Sequence, residues 1–187
     1  YYNKCTQTGL IRHFYAIADA TPLPVIVYNI PGRTGYNVTP AAMKELVAHD
    51  RIVGTKDATC DICQIVEMAR LCPGLEIYSG NDDHVVPILS VGGLGVISVV
   101  SNVAPRMTHD MVMAYLSGDV VKARELQFKL NPLVKALFSE VNPTPVKKAL
   151  NMIGIPVGIP RLPLTEMSPD KAALLKKELI ALGFDIA

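Results

Sequence analysis

No apolar run in this chain reaches the roughly twenty residues that a membrane-spanning helix needs. None of its Gly-containing turns spells the GxGxxG that opens a dinucleotide-binding strand–turn–helix, so that fold has no support. No basic leader with an apolar core precedes the first strand, and the first residue is Tyr1 rather than Met, which reads as an internal start without a secretory signal. An excess of one charge is also missing. The 18 basic residues against 17 acidic ones leave no basic stripe, and nucleic acid is not an expected partner. Cysteine is sparse: Cys5, Cys60, Cys63 and Cys72 form no framework of the kind that staples secreted domains, so a reduced, cytoplasmic protein is expected. Cys60-x-x-Cys63 lacks a second cysteine pair, and none of His13, His49, His84 or His109 stands near it in sequence. No metal site is read there.

What the chain does have is apolar substance. Half of its 187 residues are hydrophobic, ample for a globular core and too many for a disordered segment. Leu10, Ile11, Phe14, Ile17 and Ala18 make a helical stripe over 6–20, stopped by Thr21-Pro22. The short β-branched run at 24–28 reads as a buried strand, 52–56, 76–79 and 95–100 read as further strands, and helices are expected at about 40–49, 61–72 and 84–90 between them. Four further helices are expected at 105–117, 120–138, 146–153 and 168–182. Strands alternating with helices imply parallel βα units with right-handed crossovers.

The stretch Ile52–Thr59 carries the chemistry. Its apolar start delivers Lys56 at the point where a buried strand ends, and an unpaired ammonium in such a place is costly. Taken alone, the residues leave two readings: Lys56 snorkels to water past the strand end, or burial lowers its pKa and leaves a free amine able to attack a carbonyl. Tyr28, Arg33, Thr59, Gly80 and Asn81 also fall just after strand ends, where a (β/α)8 barrel builds its active site. Four βα units make half of such a barrel, so the expectation is a TIM-barrel second half over 1–104, followed by the last barrel helix and a helical extension over 105–187.

Five segments then carry a resemblance over essentially the whole chain: Tyr1-Tyr2-Asn3-Lys4, Tyr28-Asn29-Ile30-Pro31-Gly32-Arg33-Thr34-Gly35, Gly54-Thr55-Lys56-Asp57-Ala58-Thr59, Gly95-Val96-Ile97-Ser98 and Asn142-Pro143-Thr144-Pro145-Val146-Lys147. In this order and spacing the chain resembles the C-terminal part of the dihydrodipicolinate synthase family. That family belongs to the class I, Schiff-base-forming aldolases, which include N-acetylneuraminate lyase. The resemblance implies that Lys56 condenses with the ketone of pyruvate and that the enamine formed attacks aspartate semialdehyde, a step of lysine and diaminopimelate biosynthesis. It implies Tyr28 as a proton shuttle and Tyr2 as a second relay tyrosine that reaches a neighbouring subunit's site. Arg33 matches the residue that binds the carboxylate of the semialdehyde. Gly80 and Ile97 match residues around bound pyruvate, Thr59 is a weaker candidate for the same pocket, and Tyr1 matches a residue of a lysine feedback site. A homo-oligomer, as a dimer of dimers, is implied. No organic cofactor is, because the lysine serves as its own electron sink.

The loops after the third and fourth strands read Gly80-Asn81-Asp82-Asp83 and Ser101-Asn102-Val103-Ala104. They lie where barrels often hold phosphate, yet one is acidic and neither is basic, so a non-phosphorylated substrate is expected. The aspartates themselves are read as helix N-terminal charges, and Asp57 should face away from Lys56 by strand alternation. Two other readings stay open: a related pyruvate aldolase acting on a sugar acid, against which Arg33 argues, and a structural paralogue or fragment without turnover. A half barrel exposes two sheet edges, so the chain alone is expected to be inactive and to need a partner supplying the first four strands.

Overall fold

The computed structural model describes residues 2–187. The expectation placed on Tyr1 lies outside the described residues. The chain divides into two compact units, one ending at Ile97 and the other beginning at Ser98.

The first unit alternates helices and strands: α1 (Gln7–Asp19), β1 (Val25–Asn29), α2 (Pro31–Thr34), α3 (Pro40–Leu46), β2 (Ile52–Asp57), α4 (Ile62–Leu71), β3 (Glu76–Ser79), α5 (Val85–Ser90) and β4 (Gly95–Val96). The helix starts follow capping chemistry. The Thr6, Thr39 and Asp61 side chains each accept a backbone N–H of the first turn of α1, α3 and α4. The four strands form one parallel sheet in the order β1-β2-β3-β4. Sequential order without a reversal is the topology of a barrel wall, whereas a doubly wound sheet reverses direction. Ala18, Val27, Met43, Leu46, Ile52 and Met68 pack helices against one face of the sheet, and Ile65, Ile77 and Ile88 continue that core. On the opposite face Ile26 and Tyr28 remain 42% and 45% exposed.

One expected strand is much shorter than the sequence pattern indicates. The apolar run at 95–100 pairs with β3 only through Gly95 and Val96. The Ile97 N–H still donates to the Ser79 carbonyl at 2.9 Å. Beyond that β3 has ended, Val99 turns into the right-handed helical region, and Val100–Asn102 forms a 3₁₀ turn. Valines favour strands because they pack on a pleated surface, and without a partner backbone that preference has nothing to act on. At Pro31 the chain forms one short helix, closed by Gly35 at φ 64°.

The second unit holds α6 (Pro105–Leu116), α7 (Val120–Leu137), α8 (Thr144–Met152) and α9 (Pro169–Ala181). α7 packs against α6, α8 and α9 and buries Leu130, Leu133 and Leu137. α8 begins two residues earlier than expected, with Pro145 in its first turn, where a missing N–H costs nothing. Among the described residues, no helix is long and apolar enough to cross a membrane.

Gly54 shows how tightly the sheet is drawn together. A Cβ there would lie 2.8 Å from the Glu76 carbonyl oxygen and 3.2 Å from the Glu76 Cβ. Gly54→Ala is therefore expected to destabilise the fold by about 1–3 kcal/mol in chemical denaturation. Gly32→Ala, with nothing within 4 Å, should change stability far less.

Candidate active site

Tyr28 and Lys56 are direct register partners across β1 and β2, so both side chains leave the same face at the C-terminal ends of their strands. The Lys56 Nζ sits 4.1 Å from the centroid of the Tyr28 ring. A ring face attracts a cation and tolerates a neutral amine, so this contact positions the nitrogen in either state. Burial pushes the Lys56 pKa below the ordinary lysine value; the nearby Asp82 carboxylate works against that shift and Arg33 adds to it. Burial raises the Tyr28 phenol, with Arg33 opposing. One amine is thus biased toward its reactive neutral form, beside one phenol biased toward keeping its proton.

Arg33 reaches this pair from α2, whose short turn carries it as an exposed side chain. Asp82 is 4% exposed, in the loop after β3. Asp82 and Asp83 stand at the two positions just ahead of the α5 N-cap. α5 has His84 at its N-cap position with no side-chain cap bond, and Asp83 lies 3.7 Å from the His84 Nδ1. The electrostatic reach of Asp82 to Lys56 was invisible in the sequence because Lys56 lies on β2 and Asp82 in the loop after β3.

Gly80 closes the site from the β3 side. Its N–H donates to the Asp57 carbonyl at 2.6 Å, and a Cβ on it would fall 2.7 Å from the Ala58 Cβ and 2.8 Å from the Asp57 oxygen. Only a glycine permits this approach. Ile97 follows β4 and is 42% exposed. Thr59 is turned toward the strand backbone: its hydroxyl donates to Asp57 Oδ1 at 2.6 Å and accepts the Asp61 N–H at 3.2 Å. Tyr2 is 97% exposed and is not gathered with Tyr28 and Lys56. A cavity of about 450 Å³ opens at the end of β1, lined by Tyr28, Asn29 and Ile30 together with Lys4, His13 and Tyr36 among others. Cys60 and Cys63 are both free and exposed. Among the described residues no group of three or more His, Cys, Asp or Glu side chains is placed to hold a metal ion.

The profile of the dihydrodipicolinate synthetase family matches residues 1–182. A 4-hydroxy-tetrahydrodipicolinate synthase of Caldicellulosiruptor bescii is 56% identical over 186 residues, covering 100% of this chain and 63% of the relative. Its counterpart in Caldicellulosiruptor saccharolyticus is 57% identical over the same span. The crystal structure of dihydrodipicolinate synthase from Aquifex aeolicus superposes with a TM-score of 0.96 at 39% identity, over 100% of this chain and 64% of that one. The enzyme from Thermotoga maritima does so with a TM-score of 0.94 at 45% identity, over 98% of this chain and 64% of its own. The chain thus spans 63% of the length of these curated relatives, and its four-stranded sheet is part of a (β/α)8 barrel.

The two charges around Lys56 give opposite tests. Arg33→Gln removes a repelling cation and should raise the pH midpoint at which Lys56 becomes reactive. Asp82→Asn removes an attracting anion and should lower it. Labelling by an amine-specific reagent across pH, read by peptide mapping, measures both. Midpoints that move together, or not at all, contradict this arrangement.

Proposed function

The chain belongs to the dihydrodipicolinate synthetase family, and from that premise we propose that it carries the Schiff-base machinery of a pyruvate-dependent aldolase that condenses pyruvate with aspartate semialdehyde. The observation that carries this reading is the Lys56 amine held 4.1 Å above the Tyr28 ring at the end of a parallel strand, with its pKa lowered by burial.

The neutral Lys56 nitrogen attacks the ketone carbon of pyruvate, and the carbinolamine that results loses water to give an iminium. Tyr28 passes the protons: the phenol protonates the departing hydroxyl, and the phenolate left behind takes the proton that the methyl releases in the next step. The iminium draws electrons from the adjacent methyl, which releases a proton and becomes an enamine carbon nucleophile. That carbon attacks the aldehyde of the semialdehyde, whose oxygen takes a proton from the relay. The amino group of the same substrate then displaces Lys56 from the iminium, closing the ring and freeing the enzyme. Since the lysine itself is the electron sink, no cofactor enters this scheme. The Arg33 guanidinium, planar and forked, suits the carboxylate of the semialdehyde. Gly80 lines the pyruvate pocket through its backbone, and Ile97 supplies an apolar wall.

The remaining parts come from elsewhere. Tyr2, exposed here, is assigned to the relay of a neighbouring subunit in a homo-oligomer, read as a dimer of dimers. The first strands of the barrel come from the segment that the longer relatives carry. A cytoplasmic place in lysine and diaminopimelate biosynthesis follows from this activity.

Borohydride reduction in the presence of pyruvate tests the reading, using the chain completed with the N-terminal segment of its relatives. A pyruvate-derived adduct is expected on Lys56 by intact mass and peptide mapping, absent in Lys56→Arg and formed at least about a hundredfold more slowly in Tyr28→Phe. A completed barrel that gives no adduct, or one on another lysine, overturns the assignment. Parallel assays with sugar-derived aldehydes separate the related acceptors.

A further inference from the structure

The residues that follow the two site side chains carry a second layer of design. Asn29 follows Tyr28, Asp57 follows Lys56, and the two are themselves register partners, each 1% exposed. Strand alternation turns both away from the site and toward the helices. Polar groups buried so completely are costly unless they are held, and each is held by a chain of hydrogen bonds. Asn29 Nδ2 donates to Asn37 Oδ1 at 2.9 Å, and Asn37 Nδ2 donates to Gln64 Oε1 at 2.6 Å. Asp57 Oδ1 accepts the Thr59 N–H at 3.0 Å and the Thr59 hydroxyl at 2.6 Å. The Thr59 hydroxyl oxygen in turn accepts the Asp61 N–H at 3.2 Å, and Asp61 Oδ1 accepts the Gln64 N–H at 3.0 Å. Both chains therefore end on the first turn of α4, one from each side of the Tyr28–Lys56 pair.

We propose that Asp57 is a positioning residue for Lys56: through Thr59 its carboxyl ties the end of β2 to the first turn of α4 and so holds the amine over the Tyr28 ring. This rests on the Schiff-base reading of the site. The other carboxyl oxygen, Oδ2, is buried without a hydrogen-bond partner. A bare buried oxygen is far cheaper on a neutral carboxyl than on a carboxylate. Burial accordingly raises the Asp57 pKa; the two bonds from Thr59 oppose that, Asp61 adds to it, and His84 opposes it. Cys60 also faces the group, its thiol pushed up mainly by burial and further by Asp83 and Asp57. The same Asp57 residue accepts the Gly80 N–H on its backbone carbonyl, so the anchor that holds Lys56 also sets the β3 loop.

The proposal predicts a pattern in the completed barrel, read by the rate of borohydride trapping on Lys56 and by the pH midpoint of Lys56 labelling. Asp57→Ala should slow trapping at least about tenfold, the scale of a sub-ångström misplacement. Asp57→Asn keeps an acceptor for Thr59, and Asp57 is not among the charges that shift Lys56, so it should restore the rate to within about threefold of wild type with the Lys56 midpoint unmoved. Thr59→Val should slow trapping and Thr59→Ser restore it; this pair carries the test if Asp57→Ala does not fold. Trapping as fast as wild type in folded Asp57→Ala or Thr59→Val overturns the proposal. So does Asp57→Asn as slow as Asp57→Ala with the midpoint lowered, which would make Asp57 a counter-ion instead. Failure of the wild-type barrel to trap on Lys56 sinks the Schiff-base reading and this proposal with it. A normal wild-type adduct with indifferent variants sinks the proposal alone.

Discussion

The parallel hydrogen-bond ladder between β1 and β2 is the constraint on which the site depends. Side chains on a strand alternate with a period of two, so a slip of one residue would send Lys56 into the helix layer and Asp57 to the site face. Several contacts hold the register. The Val25 N–H donates to the Arg51 carbonyl at 2.6 Å, the buried Thr55 hydroxyl donates to the Val27 carbonyl at 3.0 Å, and the Ala58 N–H donates to the Asn29 carbonyl at 2.9 Å. Gly54 and Gly80 let β3 and its loop come close enough to lock the other side.

With that register set, the electrostatics follow from depth rather than from a special partner. Lys56 is shifted first by desolvation, with Asp82 and Arg33 acting in opposite senses around it. The lumenal side of the sheet is still open, and Ile26, Tyr28 and Ile97 keep between 42% and 45% of their surface exposed. Further strands along the β1 and β4 edges would cover these side chains and deepen the burial that already favours the free amine. Barrel closure and the bias of Lys56 toward its free amine would in that sense share one physical cause: apolar surface that stabilises a closed barrel also disfavours the ammonium.

Most elements were legible because hydrophobic period is a local property. The stripe of α1, the β-branched runs of β1 and β2 and the Thr-Pro start of α3 need no tertiary context to be recognised. β4 was overread for the converse reason. Its valines favour a strand, but a strand exists only as far as a neighbouring backbone runs beside it, and β3 stops at Ser79. Thr59 illustrates a second limit. The resemblance makes it a candidate for the pyruvate pocket, and the structure adds that its hydroxyl bonds to the carboxyl of Asp57 two residues earlier.

The sequence by itself determined the βα alternation, the lysine at a strand end and the five segments that mark its family, since each is written in adjacent residues. Only the tertiary structure decided which side chains meet. Register placed Lys56 over Tyr28, loop packing brought Asp82 and Arg33 into electrostatic reach of the amine, and two chains of hydrogen bonds carried Asn29 and Asp57 to the same turn of α4. Except for the local run Asp57–Thr59–Asp61–Gln64, these contacts bring together residues that lie far apart in sequence. Their distances arise from how strands pair and helices pack, and no local pattern encodes them.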